Sequence, residues 1–331
     1  MFFIKNLISV PLTILGYFFY QIFKVTPKFI YHSFVRSYCY SNGRIIDFLK
    51  IIDDLILKKD KFFKYKLNKN LNFNLINKNL KEKGYYIFPY KLESKTINDL
   101  INLSKNQTCF YFNDKKKKKF CKFYKKSYSN KYESFKYSYS RAKLIESKVI
   151  RKILQNNNYL FIAYNYFKNR PYFSNIDMWW STARGKKPTI KSETTNKSAH
   201  FFHFDLDRPK WLKLFIYLSD VDNESGPHEY VEGSHNVYSK PKKILSKGYT
   251  RISSNEIKKF YKKNKIKKIL GKKGTMFIAD TSSFHRGIPP QKKNRLILVI
   301  EYSNSLFGAK NEIKIKNKFK LLFNNLNLIF Q

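Results

Sequence analysis

The sequence predicts a mainly β domain, of the sandwich or barrel type, with flanking helices and a helical N-terminal region. Up to about residue 77, apolar residues recur at helical spacing, whereas from residue 158 they alternate at the period of a β-strand. The predicted strands are short and separated by turn residues, which is typical of all-β sandwiches and barrels. We therefore divide the chain into a helical, basic region at 1–77, a β domain at 78–305 and a tail at 306–331.

Composition favours a packed core and leaves two interpretations of the charge. The chain has 331 residues, of which 43% are hydrophobic, with 31 Phe and 25 Tyr, so we do not expect long disordered stretches. The formal net charge is +43. Either an A/T-rich genome accounts for the many lysines, or the chain binds a polyanion such as anionic lipid or an acidic glycan. Only ten of the 66 basic residues are Arg, so nucleic acid is not expected as a partner.

Three isolated cysteines, Cys39, Cys109 and Cys121, make a disulfide framework or a zinc site improbable. They favour a reducing compartment, and we expect a cytoplasmic protein that is peripheral to a membrane in one alternative. Residues 6–23 form an uncharged run of 18 residues, close to the length of a membrane span. A packed or interfacial helix is the favoured interpretation and a true anchor the alternative. Residues 1–30 would then contact an anionic membrane surface.

The elements that precede the β-strands follow from local patterns. An amphipathic helix is predicted over 44–59, and a turn followed by a short strand over 81–92. Ser94 is predicted to cap the next helix. Residues 104–145, which include five lysines at 115–119, are predicted to be a solvated loop, with an electrostatic funnel for an acidic partner as the alternative.

The β domain is predicted from segments that alternate in polarity or are rich in β-branched and aromatic residues. The predicted strands are 159–167, 176–181, 198–205, 212–218, 229–233, 275–279 and 295–302. A single helix is predicted among the later strands, at 255–263. In 212–218 the face shared by Lys213, Phe215 and Tyr217 is a candidate pocket lining.

Five of the six histidines lie between residues 200 and 285, and two features there indicate a metal. His203 and Asp205 are two residues apart in a predicted strand, so their side chains share a face. A second His from a distant strand would complete a two-His, one-carboxylate set, which suits non-haem Fe(II) and leaves open positions. His285 is the best candidate, because it follows the strand 275–279 at a turn. A simple hydrogen bond between His203 and Asp205 is the alternative.

Three neighbouring residues receive supporting interpretations. His200 has the opposite parity and is expected to face the other layer or solvent, and Asp207 is expected to bond a loop backbone or Arg208. Arg295 opens an otherwise apolar strand and needs an acidic partner. That partner is either the far carboxylate of a bound 2-oxo acid or an acidic side chain such as Glu301.

The ordered motifs resemble one known family. HFD at 203–205, LKLFIYLSDVDNESGPHEYVEGSH at 212–235, GTMFIADTSSFHRG at 274–287 and the trailing Arg295 resemble the phytanoyl-CoA dioxygenase family. Residues 80–103 resemble that family's first strand and helix, so the resemblance spans about 80–305. It implies a double-stranded β-helix, or jelly roll, that binds Fe(II) and the cosubstrate 2-oxoglutarate and consumes O2.

The resemblance also implies roles for individual residues. His203, Asp205 and His285 would be the iron ligands, Arg295 would bind the C5 carboxylate of 2-oxoglutarate, and Phe215 would lie against the cosubstrate. The carboxylate at Asp205 implies hydroxylation rather than halogenation.

The chain departs from the family's pattern at a few positions. Some members have Ser where this chain has Gly287, so a cosubstrate hydrogen bond would be supplied differently. His228 is expected to face solvent, with pocket lining as the alternative, and His235 either contacts substrate or braces a loop.

The predicted function is therefore an Fe(II)- and 2-oxoglutarate-dependent dioxygenase. Its substrate would be a small molecule or a lipid-like compound that the sequence does not identify. The main alternative is a non-catalytic jelly-roll binding protein tethered to a membrane or polyanion. A nucleic-acid demethylase is a third hypothesis, which the scarcity of Arg disfavours.

Overall fold

The computed structural model describes residues 2–56, 71–113, 115–127, 132–183 and 200–309. The end of the helix predicted at 44–59 and most of the tail at 306–331 lie outside these ranges. The helices are α1 (Phe2–Phe23), α2 (Lys28–Tyr40), α3 (Ile45–Ile56), α4 (Phe73–Glu82), α5 (Ser94–Asn106), α6 (Phe123–Ser127), α7 (Arg141–Glu146), α8 (Lys148–Leu154), α9 (Asn157–Phe167), α10 (Lys242–Leu245) and α11 (Ser254–Phe260). Short 3₁₀ turns lie at Val237–Ser239 and Lys263–Lys265.

Within the described ranges, the strands form an eight-stranded and a three-stranded antiparallel sheet. The strands are β1 (Tyr85–Lys91), β2 (Cys109–Phe112), β3 (Lys118–Cys121), β4 (Lys136–Tyr139), β5 (Tyr172–Ser181), β6 (Trp211–Tyr217), β7 (His228–Val231), β8 (Ile266–Ile269), β9 (Thr275–Ala279), β10 (His285–Gly287) and β11 (Arg295–Ser303). The larger sheet has the order β1-β9-β6-β11-β5-β4-β2-β3, and the smaller has the order β10-β7-β8. The chain is therefore a mixed fold of helices and antiparallel sheet, with more helix than predicted.

The large sheet is covered on both faces, and the alternation along its central strands explains why. On β11, Leu296, Leu298 and Ile300 belong to the main core, which also contains side chains of helices α4, α5 and α7–α9. The intervening Ile297 and Val299 join a smaller cluster that also contains side chains of the three-stranded sheet. Because strand side chains alternate between faces, one apolar strand supplies both layers.

The N-terminal helices pack onto the β domain rather than standing apart from it. Tyr17 of α1 and Phe34 of α2 contact the ring of Phe307, at centroid distances of 4.9 Å and 5.6 Å. The same apolar cluster includes Phe204 and Trp211, which flank the segment that leads into β6. Of the helices that the structure describes, none combines the length and the apolar character that a membrane span requires.

The segment 159–167, predicted as a strand, is the helix α9. Its helix starts where the Asn156 side chain accepts a hydrogen bond from the backbone N–H of Asn158. Tyr159, Ile162 and Tyr166 are then buried on one face at helical spacing. The prediction was wrong because aromatic and branched residues favour strands locally, and burial against the sheet overrides that preference.

Residues 104–145 are not the solvated loop that their charge predicted. Over its described part the segment adds β2, β3 and β4 to the edge of the large sheet and contains α6 and α7. In β4, Tyr137 and Tyr139 are buried, whereas Lys118 and Lys119 of β3 are exposed.

Two smaller predictions also differ from the structure. Ser94 is the first residue of α5, and its N-cap, Glu93, makes no side-chain capping hydrogen bond. The described part of 198–205 is not a regular strand. It makes isolated bridges, Phe202 to Ile252 and His203 to His285.

Candidate metal centre

Three side chains from two distant segments meet in the interior. His203, Asp205 and His285 each offer one ligand atom, and these atoms all lie within 4.8 Å of one another. His203 Nε2 is 3.8 Å from Asp205 Oδ1, and His285 Nε2 is 3.7 Å from Asp205 Oδ2. The structure thus brings together the three residues that the sequence pattern selected, and the group can hold a metal ion.

The backbone fixes this juxtaposition. His203 and His285 exchange two backbone hydrogen bonds, of 2.9 Å and 2.8 Å, so they form a directly opposed antiparallel pair. The backbone N–H of Asp205 donates to the carbonyl of Thr281 at 2.8 Å. Side chains of opposed residues project to the same face, which is why residues far apart in sequence place their rings only 4.3 Å apart.

Each imidazole is held in the tautomer that leaves Nε2 free to bind a metal. Nδ1 of His203 lies 3.0 Å from the carbonyl of Phe201, and Nδ1 of His285 lies 2.9 Å from that of Ser283. A carbonyl only accepts hydrogen bonds, so Nδ1 carries the proton and Nε2 presents its lone pair towards Asp205. Burial lowers the pKa of both histidines, which keeps the rings neutral.

A largely buried lysine holds the third candidate ligand. Nζ of Lys213 lies 2.7 Å from Asp205 Oδ2 and 3.2 Å from Glu301 Oε2, and its side chain is 15% exposed. Burial alone would raise the pKa of Asp205, but the charge of the neighbouring Lys213 outweighs burial and lowers it. Asp205 is therefore a carboxylate with one oxygen bound to Lys213 and the other facing His203.

Arg295 is buried without an acidic partner in the described ranges. Its guanidinium donates to the carbonyl of Gly226 and, at 3.2 Å, to Oγ of Ser181, while Nε has no hydrogen-bond partner there. The predicted alternative, a salt bridge to Glu301, is absent from this part of the chain. Glu301 instead accepts from Ser174 at 2.6 Å and pairs with Lys213. A buried guanidinium with a free donor favours an anionic ligand.

Aromatic rings and one more histidine pack beside this group. Phe215 stacks on Phe277 at 4.5 Å and contacts His228 at 4.9 Å. His228 is 6% exposed and its ring lies 5.3 Å from that of His285, so the expectation that it faces solvent is wrong. All four residues of β7 are buried, because this strand lies between β8 and β10 and packs against the large sheet.

Sequence parity placed Lys213 and Phe215 on one face, but it did not pair Lys213 with Asp205 or locate His228.

The other two histidines near the motif have supporting roles. His200 is buried edge-on against Phe135 at 5.2 Å, and burial lowers its pKa to about 4. Of its two expected environments, the interior is the one observed. His235 Nε2 lies 3.0 Å from the carbonyl of Lys81, so it braces the turn before β1.

Asp207 and Arg208 do not form the pair that was considered for them. The carboxylate of Asp207 lies 3.9 Å from Nζ of Lys213, and its backbone carbonyl accepts from Ala309. Arg208 donates instead to the carbonyls of Leu306 and Ala309, at 2.8 Å and 2.7 Å. Both residues therefore tie the motif segment to the chain that follows β11.

The fold and the site together define a class: a mixed helical and antiparallel-sheet protein with a buried His–Asp–His group that can hold a metal ion. No family model matches the sequence, and no curated protein matches it in sequence. The resemblance to the phytanoyl-CoA dioxygenase family therefore stays a prediction.

Several solved structures are similar to the chain at low identity. The non-heme alpha ketoglutarate dependent epimerase SnoN from nogalamycin biosynthesis is 14% identical over 70% of this chain and 83% of its own, with a TM-score of 0.47. The carbocyclase SnoK from the same biosynthesis is 12% identical over 75% and 89%, with a TM-score of 0.45. EctD from S. alaskensis is 11% identical over 79% and 88%, with a TM-score of 0.46. Because these similarities are low, any functional conclusion must rest on the chain's own residues.

Proposed function

We propose that the protein is an Fe(II)- and 2-oxoglutarate-dependent dioxygenase that hydroxylates a small-molecule or lipid-like substrate. One observation carries the proposal. The group formed by His203, Asp205 and His285 lies close to the buried guanidinium of Arg295, whose Nε–H has no hydrogen-bond partner among the described residues. Neither feature alone is specific, since ion pairs and buried arginines also serve structural roles. Their combination matches the two ends of a bound 2-oxo diacid.

The residues present fit Fe(II). Two neutral imidazoles and one carboxylate form the donor set that suits non-haem Fe(II) and leaves positions open for other ligands. His203 and His285 offer Nε2 lone pairs because their Nδ1 protons are bonded to carbonyls. Asp205 offers one oxygen because Lys213 binds the other. These outer contacts orient the ligands, as second contacts around metal sites generally do.

The residues also fit a five-carbon diacid. A Cβ added to Gly287 would lie 3.2 Å from Nη2 of Arg295, so the guanidinium borders β10 two residues beyond His285. Residues two apart on a strand lie about 6.6 Å apart on one face. A 2-oxoglutarate held near His285 at its keto end would therefore reach Arg295 with its far carboxylate, and a planar guanidinium binds carboxylate well.

The chain's own residues would supply binding, orientation and a dry pocket. Bound Fe(II) would supply O2 activation coupled to the conversion of 2-oxoglutarate to succinate and CO2. Phe215, Tyr217 and Phe277 form an apolar wall that excludes water from this space. Lys213 keeps Asp205 ionised and fixed in one orientation.

The finer assignments rest on the same residues. Two facing antiparallel sheets with the His–Asp–His group at one side support the double-stranded β-helix as the architecture. The ordered motifs from His203 to Arg295 support membership of the phytanoyl-CoA dioxygenase family. A non-catalytic binding protein would need neither the His–Asp–His group nor a buried Arg295 that has no acidic partner among the described residues.

The test is O2-dependent formation of succinate from 2-oxoglutarate by the full chain with Fe(II), without added substrate. We expect slow succinate formation by wild type and none by His203→Ala. The control His235→Ala, which changes the histidine that braces the turn before β1, should form succinate at the wild-type rate. Absence of succinate with wild type, or equal rates from wild type and His203→Ala, would overturn the proposal.

A further inference from the structure

Helix α1 exposes apolar side chains to solvent, which is the reverse of the usual arrangement on a surface helix. From Leu7 onward, every exposed side chain of α1 is apolar: Leu7, Ile8, Pro11, Leu15, Phe18, Phe19, Ile22 and Phe23. Leu15 is 65% exposed and Ile22 is 74% exposed. A surface helix normally directs its apolar stripe to the core and its polar side chains to water.

The inward face of α1 carries polar groups that are satisfied by hydrogen bonds. Thr13 Oγ1 lies 2.9 Å from Oγ of Ser37. The hydroxyl of Tyr17 donates to Asp53 at 2.5 Å, and Gln21 donates to the same carboxylate at 3.1 Å. These partners fix the rotation of α1 about its axis. The fold therefore determines which face of α1 points outward. An outward face with eight exposed apolar side chains marks an interaction site.

The charge around α1 identifies what would cover this face. The first acidic residue of the chain is Asp47, and before it come Lys5, Lys24, Lys28, Arg36 and Arg44. A second copy of this chain would bring a net charge of +43 against the same charge. An anionic lipid surface has the opposite charge and accepts apolar side chains beside it.

We propose that the outward face of α1 is a membrane-docking surface, on which the helix lies in the plane of an anionic bilayer with its apolar side chains inserted. Lys24 and Lys28, both exposed, follow the apolar face and contact the lipid head groups. Val25 and Phe29, which are 58% and 61% exposed, extend the inserted surface beyond α1. This docking is independent of the chemistry at the metal centre.

The experiment is co-sedimentation of the full chain with vesicles of phosphatidylcholine alone and of phosphatidylcholine mixed with phosphatidylglycerol. The test variant is Leu15→Gln/Ile22→Gln, and the matched control is Phe260→Gln/Leu270→Gln, two exposed apolar residues outside α1. We expect wild type and control to bind the mixed vesicles, and the test variant to lose at least tenfold in partition coefficient. Added salt should weaken wild-type binding further.

Two outcomes would overturn this inference. One is equal partition of wild type and the Leu15→Gln/Ile22→Gln variant, or no binding by either. The other is a wild-type dimer in analytical ultracentrifugation that the test variant converts to monomer, with no vesicle binding, because a second copy would then cover α1.

A different observation concerns the cosubstrate end of the candidate site and rests on the proposed function. His228 lies directly opposite Gly287 in the pairing of β7 with β10. Gly226, two residues before His228, accepts a hydrogen bond from Arg295 through its carbonyl. The imidazole lies 5.3 Å from the ring of His285, and the segment that leads into its strand binds Arg295. Its Nε2 is buried and has no hydrogen-bond partner among the described residues, which is costly unless a ligand supplies one.

We infer that His228 is a cosubstrate-binding residue, whose Nε2–H donates to a carboxylate oxygen of 2-oxoglutarate. Gly287, the residue paired with His228, borders the guanidinium, because a Cβ there would lie 3.2 Å from Nη2 of Arg295. His228 and Arg295 then bind the same anion from two sides. Hydrogen bonds to a charged group are about twice as strong as those between neutral groups.

Calorimetric titration of 2-oxoglutarate into the Mn(II)-loaded chain tests this inference without turnover. Relative to wild type, His228→Leu should raise the Kd for 2-oxoglutarate about tenfold, and His228→Gln should restore most of the affinity. The Kd for Mn(II) should be the same in all three proteins. Equal affinity of wild type and His228→Leu for 2-oxoglutarate overturns this inference alone. Absence of binding by wild type overturns the proposed function as well.

Discussion

Lys213 shows how one largely buried positive charge stabilises the carboxylates beside the His–Asp–His group. It lies within 3.2 Å of both Asp205 and Glu301, so one ammonium balances two carboxylates in the interior. Strand parity predicted that Lys213 faces the pocket. Its partners could not be predicted, because parity gives the direction of a side chain but not the distance to residues on other segments.

We predict that Lys213→Met destabilises the protein by about 3–5 kcal/mol, because it leaves the buried Glu301 and the largely buried Asp205 without their cation. The measurement is the free energy of unfolding in urea. The matched control is Lys272→Met, whose partner Asp220 is 54% exposed, and it should cost less than about 1 kcal/mol. A loss for Lys213→Met no larger than that of the control would contradict this account of the site.

Lys240 gives a prediction about pH. Its side chain is buried and donates to the backbone carbonyls of Ser234 and Ser282, and burial lowers its pKa to about 7 against an ordinary value of 10.5. Between these two values the unfolded chain binds a proton that the folded chain does not, so stability from this residue rises with pH. Below about pH 7 both states carry the proton, and the cost of burying the charge is complete.

Lys240→Met should therefore flatten the rise in unfolding free energy between pH 7 and pH 10 relative to wild type. Urea titrations of both proteins across this range measure the difference. Parallel curves for the two proteins would show that Lys240 keeps an ordinary pKa in the folded state.

At the scale of elements, α1 and α9 show why sequence patterns were insufficient. Residues 6–23 were correctly predicted to be helical and apolar. The pattern could not reveal that the polar side chains turn inward, because their partners Ser37 and Asp53 lie on other helices. In α9, aromatic residues that favour strands are packed as a helix. In both cases tertiary contacts decided between local alternatives.

We predict that Tyr17→Phe lowers the unfolding free energy by about 1–3 kcal/mol, because the buried Asp53 loses a hydrogen bond from the α1 side. Thermal or urea unfolding measures the change. Tyr90→Phe removes a hydroxyl from a residue that is 40% exposed, and it should be nearly neutral. If the two substitutions cost the same, the inward polar contacts do not hold α1 in place.

At the scale of the whole molecule, the sequence predicted the order of the later elements well. Strands predicted at 212–218, 275–279 and 295–302 are confirmed as β6, β9 and β11 to within one residue at each end. Their short runs of branched and aromatic residues, bounded by turn residues, made them predictable. The strands β2–β4 were missed because the basic run at 115–119 predicted a solvated loop. Only β3 lies at the edge of the sheet, and its exposed Lys118 and Lys119 protect that edge from unwanted pairing.

The candidate site was predictable where spacing alone determines direction, as with His203 and Asp205. Arg295 was selected because an Arg at the start of an apolar strand needs an anion. His228 was misplaced because its burial depends on β7 lying between two strands under the large sheet, which no local pattern indicates. The sequence therefore selected His203, Asp205, His285 and Arg295, whereas the contact of Lys213 with Asp205 and the burial of His228 are visible only in the structure.

The most direct measurement of the central claim is stepwise calorimetry with Mn(II), a non-reacting substitute for Fe(II) that accepts the same ligands, followed by 2-oxoglutarate. The account predicts that wild type binds the metal and then the diacid, that His203→Ala loses metal binding, and that Arg295→Lys keeps the metal but binds 2-oxoglutarate at least tenfold more weakly. Equal binding of metal and 2-oxoglutarate by wild type and His203→Ala would contradict it.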